Sequence, residues 1–121
     1  MRREHHQRKV ERFLATLGKL DYEDDYETMI EDFLLAAAHL INALLHQSHI
    51  VPEDKDIKHN QLFGFLKNAT ALSEHQQLAE LIQQLEQLRP SHVYGKGRNG
   101  ETARHAERIF GELKACCGWE Q

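Results

Sequence analysis

Apolar residues recur every three or four positions along most of this chain, a period that predicts helices rather than strands. The first stripe comprises Val10, Phe13, Leu14 and Leu17, and Gly18 follows it as a helix stop. The longest predicted helix runs from about residue 23 to residue 48. The acidic residues at its start suit the positive end of the helix dipole.

Three further helices are predicted after a polar loop at 51–56. The third covers about 60–71, the fourth starts at Ser73 and ends at Arg89-Pro90, and the fifth begins near Asn99 or Gly100. No strand-like alternation, internal repeat or low-complexity tract interrupts this pattern. The expected fold class is all-α, an antiparallel bundle of about five helices in one domain spanning residues 1–121, with 1–8 as a flexible basic tail.

The second predicted helix is apolar on nearly all sides, since only His39 and Asn42 are polar between Phe33 and Leu45. Such a helix is buried on both sides, so the side opposite its main seam should meet another subunit or line a cleft. That opposite side contains Leu35, Ala36, His39, Asn42, Ala43 and His46. We interpret His39 and His46 as a polar stripe at a helix interface, because a metal site would need more ligands at matching positions. No metal or cofactor is expected.

The composition bounds the function. The chain has 121 residues, 40% hydrophobic and 28% charged, with a formal net charge of −4, which excludes nucleic-acid binding by overall charge alone. The charge is uneven, however, because residues 1–12 carry five Lys or Arg against two Glu, and residues 89–114 carry six against three. No apolar run approaches the ~20 residues of a membrane span, and the adjacent Cys116 and Cys117 predict no disulfide framework. A cytoplasmic protein without membrane association is expected.

The candidate catalytic residues lie between positions 98 and 105. Arg98 and His105 are seven positions apart and fall within about 20° of each other on a helix. A guanidinium grips phosphate through two donors and an imidazole exchanges a proton near neutral pH, which is the chemistry that RNA cleavage needs. An ordinary solvated helix face carries the same residue types, so that alternative stays open. The other histidines carry no comparable pattern: His5 and His6 lie in the predicted tail, and His59 lies at a helix start.

A second candidate site is the basic, glycine-containing stretch before the fifth helix. Arg89, His92, Lys96 and Arg98 are expected to bind an anion or nucleotide there. Glycines let backbone N–H groups approach an anion, and the start of the following helix adds positive potential. A plain connection between helices is the alternative.

These features together resemble HEPN domains, small helical-bundle proteins of bacteria and archaea. The resemblance covers about residues 10–117 and rests on the helical order, on the run Lys58-His59-Asn60-Gln61-Leu62 before a short third helix, and on the late Arg–Asn…His motif. The family's ribonuclease motif is an arginine, commonly followed by a polar residue, and a histidine after four to six intervening positions. Arg98, Asn99 and His105 match it with six intervening residues.

The resemblance implies a homodimer that brings two such motifs together in a cleft. His105 would take the proton of the 2′-hydroxyl, Arg98 would hold the scissile phosphate, and Asn99 would help to position it, without a metal. Because Gly97 and Gly100 flank the motif, Arg98 lies either on the helix or in the loop, and Asn99 is alternatively an N-cap.

HEPN proteins are often encoded beside minimal nucleotidyltransferases, which implies a protein of that type as a partner and RNA or a nucleotide as a ligand. Two functions stay open. The first is a non-catalytic, partner- or nucleotide-binding dimer in a toxin–antitoxin or nucleotidyltransferase-type system. The second is a metal-independent endoribonuclease that uses the Arg-x6-His motif.

Overall fold

The fold is an all-α bundle, as the hydrophobic pattern predicts. The computed structural model describes residues 1–69, 73–93 and 99–119, and no strand occurs within these ranges. The five α-helices in the described ranges are α1 (Arg3–Leu17), α2 (Tyr26–Gln47), α3 (Leu62–Ala69), α4 (Ser73–Val93) and α5 (Asn99–Cys116). A short 3₁₀ helix, His59–Gln61, precedes α3.

The longest helix, α2, forms the centre of the bundle. It packs against α1, α4 and α5, while α3 packs on α4. Thirteen of its 22 residues are buried, and the Phe33 ring meets the Phe110 ring of α5 at a centroid distance of 5.5 Å. The core of the domain is therefore built around one helix that is apolar on almost every side.

By length and composition alone, α2 would also suffice to cross a membrane. Its most apolar window of 18 residues has a mean hydropathy of 1.4, although the polar His39 and Asn42 interrupt the apolar run that sequence inspection looks for. Within the bundle, 67% of that window is buried. A buried core helix commonly passes this test, so one such helix is weak support for a membrane span.

The second side of α2 is covered by the chain itself. α1 covers His39 through His6 and Phe13, and the segment after α2 covers Asn42 through Ile57. The small residues that pointed to a subunit interface are already buried in the single chain, with Ala36 at 0% and Ala43 at 5% exposure. The burial of Ala36 and Ala43 therefore reflects intramolecular packing, whereas Leu35 on the same side is only partly buried, and the homodimer stays a prediction.

Two predicted boundaries are wrong. Residues 3–8, expected in a flexible tail, form the first turns of α1, because the His6 side chain is buried against α2. The fourth helix does not end at Arg89-Pro90 but continues to Val93. Proline has a backbone φ that suits a helix, so the helical backbone can continue through Pro90, at the cost of one intrahelical hydrogen bond and a clash with the carbonyl of the preceding turn.

Candidate functional site

A cluster of imidazoles and one carboxylate joins α1, α2 and the segment that follows α2. Nε2 of His6 lies 2.8 Å from Oδ1 of Asp56, and Nε2 of His46 lies 3.1 Å from the same oxygen. On the other side of its ring, His6 places Nδ1 2.8 Å from Nδ1 of His39. The four side chains form one connected network that we call the His–Asp cluster.

The register of α2 and the folding of its C-terminal segment bring these groups together. His39 and His46 are two turns apart on α2 and face the same side of it. Asn42, between them, accepts from Ile57 N–H at 2.8 Å and donates to the Ile57 carbonyl at 2.9 Å. This buried amide fixes the segment next to Asp56 against α2 and so positions the carboxylate.

Three groups in the His–Asp cluster have pKa values shifted by their surroundings. Burial lowers the pKa of His6, with the nearby Asp56 offsetting only part of that effect. Burial, reinforced by His6 and Lys9, lowers the pKa of His39 to about 4. Burial alone would raise the pKa of Asp56, but its hydrogen-bond contacts with His6, His46 and the N-terminal ammonium lower it overall. At neutral pH the cluster therefore combines a carboxylate with a neutral His39.

His46 and Asp56 each have a further contact outside the His–Asp cluster. Nδ1 of His46 lies 3.0 Å from the carbonyl oxygen of Val51 and its side chain is fully buried. The N-terminal ammonium of Met1 lies 3.2 Å from both oxygens of Asp56 and 2.9 Å from the carbonyl of Glu53. Asp56, with a 38% exposed side chain, thus lies within hydrogen-bond distance of three nitrogen groups at the edge of the bundle.

A basic cleft lies on the outer face of α1. Its volume is about 260 Å³, and it is lined by Met1, His5, Arg8, Lys9 and Arg12. The four helical residues follow the i, i+3, i+4, i+7 spacing of one helix face, and all are exposed. Arg8, Lys9 and Arg12 form no ion pair with a carboxylate of the described residues, so the cleft presents unneutralised positive charge.

The predicted catalytic residues are only partly described. Arg98 lies outside the described residues, and Asn99 is described as the first residue of α5 by its backbone alone. His105 lies on the outer face of α5 and is exposed, with no hydrogen bond to a described residue. The convergence of these three residues on one site stays a prediction.

Of the predicted anion-binding residues, only Arg89 has a described side chain. Lys96 lies outside the described residues, and His92 is described by its backbone in the last turn of α4. Arg89 donates from Nε to Glu31 at 2.9 Å and from an Nη nitrogen to Glu86 at 3.5 Å. The hydrogen bond to Glu31 raises the pKa of Arg89, so this guanidinium already has two carboxylate partners.

An acidic side chain also lies at the start of α5, where an anion was expected. A Cβ at Gly100 would overlap the carboxylate of Glu23, which shows how closely that carboxylate approaches the helix N-terminus. Arg104 contacts Glu23 at 3.5 Å and lies over the Tyr22 ring at 4.6 Å. The Tyr22 hydroxyl donates to Glu107 at 2.8 Å. A bound anion would therefore compete with Glu23 for this helix end.

Comparisons of the chain with family models, with curated proteins and with solved structures gave no match. The resemblance to HEPN domains accordingly rests on the residues and helical order of this chain.

Sequence reasoning missed two members of the His–Asp cluster. It noted His39 and His46, but it assigned His6 to a tail and Asp56 to a charged loop. The only local signal is that His6 precedes Val10 by four positions, which places it in register with the apolar stripe of α1. Asp56 carries no such signal, since only the fold of the segment brings it to the histidines.

Proposed function

We propose that this protein is a HEPN-like, non-catalytic helical protein that binds the phosphates of an RNA or a nucleotide, in a toxin–antitoxin or nucleotidyltransferase-type system. The observation that carries the proposal is the basic cleft on α1. Arg8, Lys9 and Arg12 project from one helix face, the cleft that they line includes no carboxylate, and none of the three forms an ion pair within the described residues. Lysine and arginine on one face of a helix form the electrostatic footprint of phosphate binding.

Because the net charge of the chain is −4, phosphate binding would have to take place at a local basic surface such as this cleft. Because the molecule as a whole repels a polyanion, any binding must depend on a local basic surface rather than on total charge. Exposed arginine and lysine side chains contact phosphates without reading the sequence, so the cleft fits a single-stranded RNA backbone or a nucleotide phosphate.

Fluorescence anisotropy with a labelled single-stranded RNA tests this proposal. The triple variant Arg8→Glu/Lys9→Glu/Arg12→Glu should weaken binding more than tenfold and reduce the salt slope by about 2, since each phosphate contact to a single strand contributes about 0.7. The matched control is Lys19→Glu/Lys55→Glu/Arg108→Glu, which makes the same charge change at exposed residues outside the cleft. An equal loss in both triple variants would exclude the cleft as the binding site.

A second candidate function, metal-independent cleavage of RNA, is favoured by the exposure of His105. A histidine on the outer face of α5 is accessible to substrate and is not required by the core. His105 would act as the base for the 2′-hydroxyl, and Arg98 would stabilise the charge on phosphorus. His105→Ala and Arg98→Ala should each abolish cleavage, while His49→Ala, at another exposed histidine, should not.

The products of such cleavage should end in a 2′,3′-cyclic phosphate, and EDTA should not inhibit it. Melting curves for each variant separate loss of catalysis from loss of folding. Equal activity in wild type and His105→Ala would remove the catalytic function and leave phosphate binding in place.

The homodimer belongs to this proposal, because a HEPN-type site is shared between two subunits. Sedimentation equilibrium over a range of concentrations tests it directly. A wild-type monomer at high concentration would contradict the dimer. Co-purification with a nucleotidyltransferase-type protein would support the partner-binding form of the function.

A further inference from the structure

We propose that His6, His46 and Asp56 form a binding site for a divalent transition-metal ion of the zinc type, independent of the phosphate-binding function. One donor atom from each residue, two imidazole nitrogens and a carboxylate oxygen, lies within 4.8 Å of the others. Both Nε2 atoms point to Asp56 Oδ1, at 2.8 Å and 3.1 Å. Two imidazoles and one carboxylate are a ligand set that zinc accepts in proteins.

The hydrogen bonding of His46 favours a positive charge between its Nε2 atom and Oδ1 of Asp56. The Val51 carbonyl can only accept a hydrogen bond, so Nδ1 of His46 must carry the proton that lies between them. In a neutral His46 the Nε2 lone pair then faces the carboxylate oxygen of Asp56. A cation between the two atoms turns this repulsion into coordination. The alternative is a second proton on a fully buried imidazole.

His39 supplies the orienting contact for the second imidazole. Its Nδ1 can accept a hydrogen bond from Nδ1–H of His6 across 2.8 Å, which leaves the Nε2 lone pair of His6 directed at the same place. Metal-binding histidines almost always donate their other ring N–H to a fixed acceptor. His6 and His46 both have such an acceptor, in His39 and the Val51 carbonyl.

The two distances to Asp56 require only a small adjustment, and the two imidazole nitrogens lie within 4.8 Å of each other. Tetrahedral bonds of about 2.0 Å place ligand atoms roughly 3.3 Å apart, against the 2.8 Å and 3.1 Å seen here. Asp56 lies in a segment without regular structure and its side chain is 38% exposed, so it can move by the few tenths of an ångström required. Imidazole ligands favour zinc, cobalt, nickel or copper over magnesium and calcium, which prefer oxygen ligands.

A cleft of about 190 Å³ lies beside the site, with His46, Arg3 and Glu53 in its lining. The N-terminal ammonium of Met1 already pairs with Asp56 and would share its carboxylate with the metal. Three protein ligands leave one position of a tetrahedral ion for water. Because the ligands come from α1, α2 and the segment after α2, a bound metal would tie these three parts of the chain together and stabilise the folded state.

Titration of the full chain with Zn²⁺, followed by calorimetry and by melting temperature, tests this proposal. Wild type should bind one Zn²⁺ per chain with a rise in melting temperature, and Co²⁺ should give the visible absorption of a tetrahedral site. Asp56→Asn and His6→Gln should each weaken binding at least tenfold. His49→Gln removes an exposed histidine of the same cleft without touching the ligand set, and it should bind as wild type.

His39→Leu should weaken binding by about 10- to 100-fold, as expected for a group that orients a ligand. Imidazole ¹⁵N spectra of wild type supply a readout that does not depend on the folding of any variant. Zn²⁺ should shift Nε2 of His6 and His46. No binding at tens of micromolar Zn²⁺, unchanged affinity in Asp56→Asn and His6→Gln, or shifts confined to other histidines would overturn the proposal and leave a proton-bridged network.

Discussion

The Nδ1 atoms of His6 and His39 lie 2.8 Å apart, although 33 positions separate the two residues in the chain. The imidazole of His39 also stacks on the Phe13 ring, at a centroid distance of 6.0 Å and an interplanar angle of 29°. One side chain of α2 thus contacts α1 at two points almost two turns apart. These contacts fix the register of α1 on α2 and bring the start of the chain to the His–Asp cluster.

Replacing Asn42 by leucine should destabilise the protein by about 2–3 kcal/mol. The substitution leaves the N–H and the carbonyl of Ile57 without the partners that they have now, and a buried unpaired group costs about 1–3 kcal/mol. Urea denaturation of Asn42→Leu measures the loss. Asn60→Ala, at an exposed position, is the control and should change stability by less than about 0.5 kcal/mol. A similar small change in Asn42→Leu would show that Ile57 is not held by this amide.

Ala36→Arg should abolish folding rather than produce a folded monomer. Position 36 is fully buried within the single chain, so the guanidinium would be placed in the core without a partner. Circular dichroism with sedimentation distinguishes the two outcomes. A folded, monomeric Ala36→Arg protein would mean that this side of α2 lies at a subunit interface after all.

Gly111→Ala should stabilise the protein by about 0.8–1 kcal/mol, and Gly100→Ala by less. Both residues lie in α5, where alanine favours the helix over glycine. A Cβ at position 111 meets nothing within 4 Å, whereas a Cβ at position 100 must displace the Glu23 carboxylate. That displacement costs the interaction of Glu23 with the helix end, worth about 0.3–1 kcal/mol.

Chemical denaturation of the two single glycine variants gives this difference directly. In a Glu23→Ala background there is no carboxylate to displace, so Gly100→Ala should stabilise the protein more than it does in the wild-type background. Equal gains at both positions in the wild-type background would show that Glu23 does not stabilise α5.

Cys116 should react faster than Cys117 with iodoacetamide at pH 8. Burial raises the pKa of the Cys117 thiol to about 12, so very little of it is the reactive thiolate at this pH. Burial also raises the pKa of Cys116. The variants Cys116→Ser and Cys117→Ser each leave one thiol, and mass spectrometry follows its alkylation. Equal rates in the native variants, with both rates rising in urea, would contradict the difference in burial.

The hydrophobic period by itself determined the all-α class and most of the helices, since each helix must bury its own apolar stripe. The start of α5 at Asn99 agrees with the sequence-based prediction. These features depend on the spacing of apolar residues along the chain, which can be read directly from the sequence. The predicted end of α4 was wrong because a proline usually ends a helix, whereas this helix continues through Pro90 to Val93.

Only the tertiary structure decided what covers the second side of α2 and which histidines meet. The sequence shows that Ala36 and Ala43 are on an apolar side, but an intramolecular neighbour and a partner subunit bury such a side equally well. His6, His46 and Asp56 come from three parts of the chain, and no spacing between them encodes their approach to within 4.8 Å. Their meeting depends on the register of α1 on α2 and on the Asn42–Ile57 hydrogen bonds, which are long-range contacts that form only when the whole bundle folds.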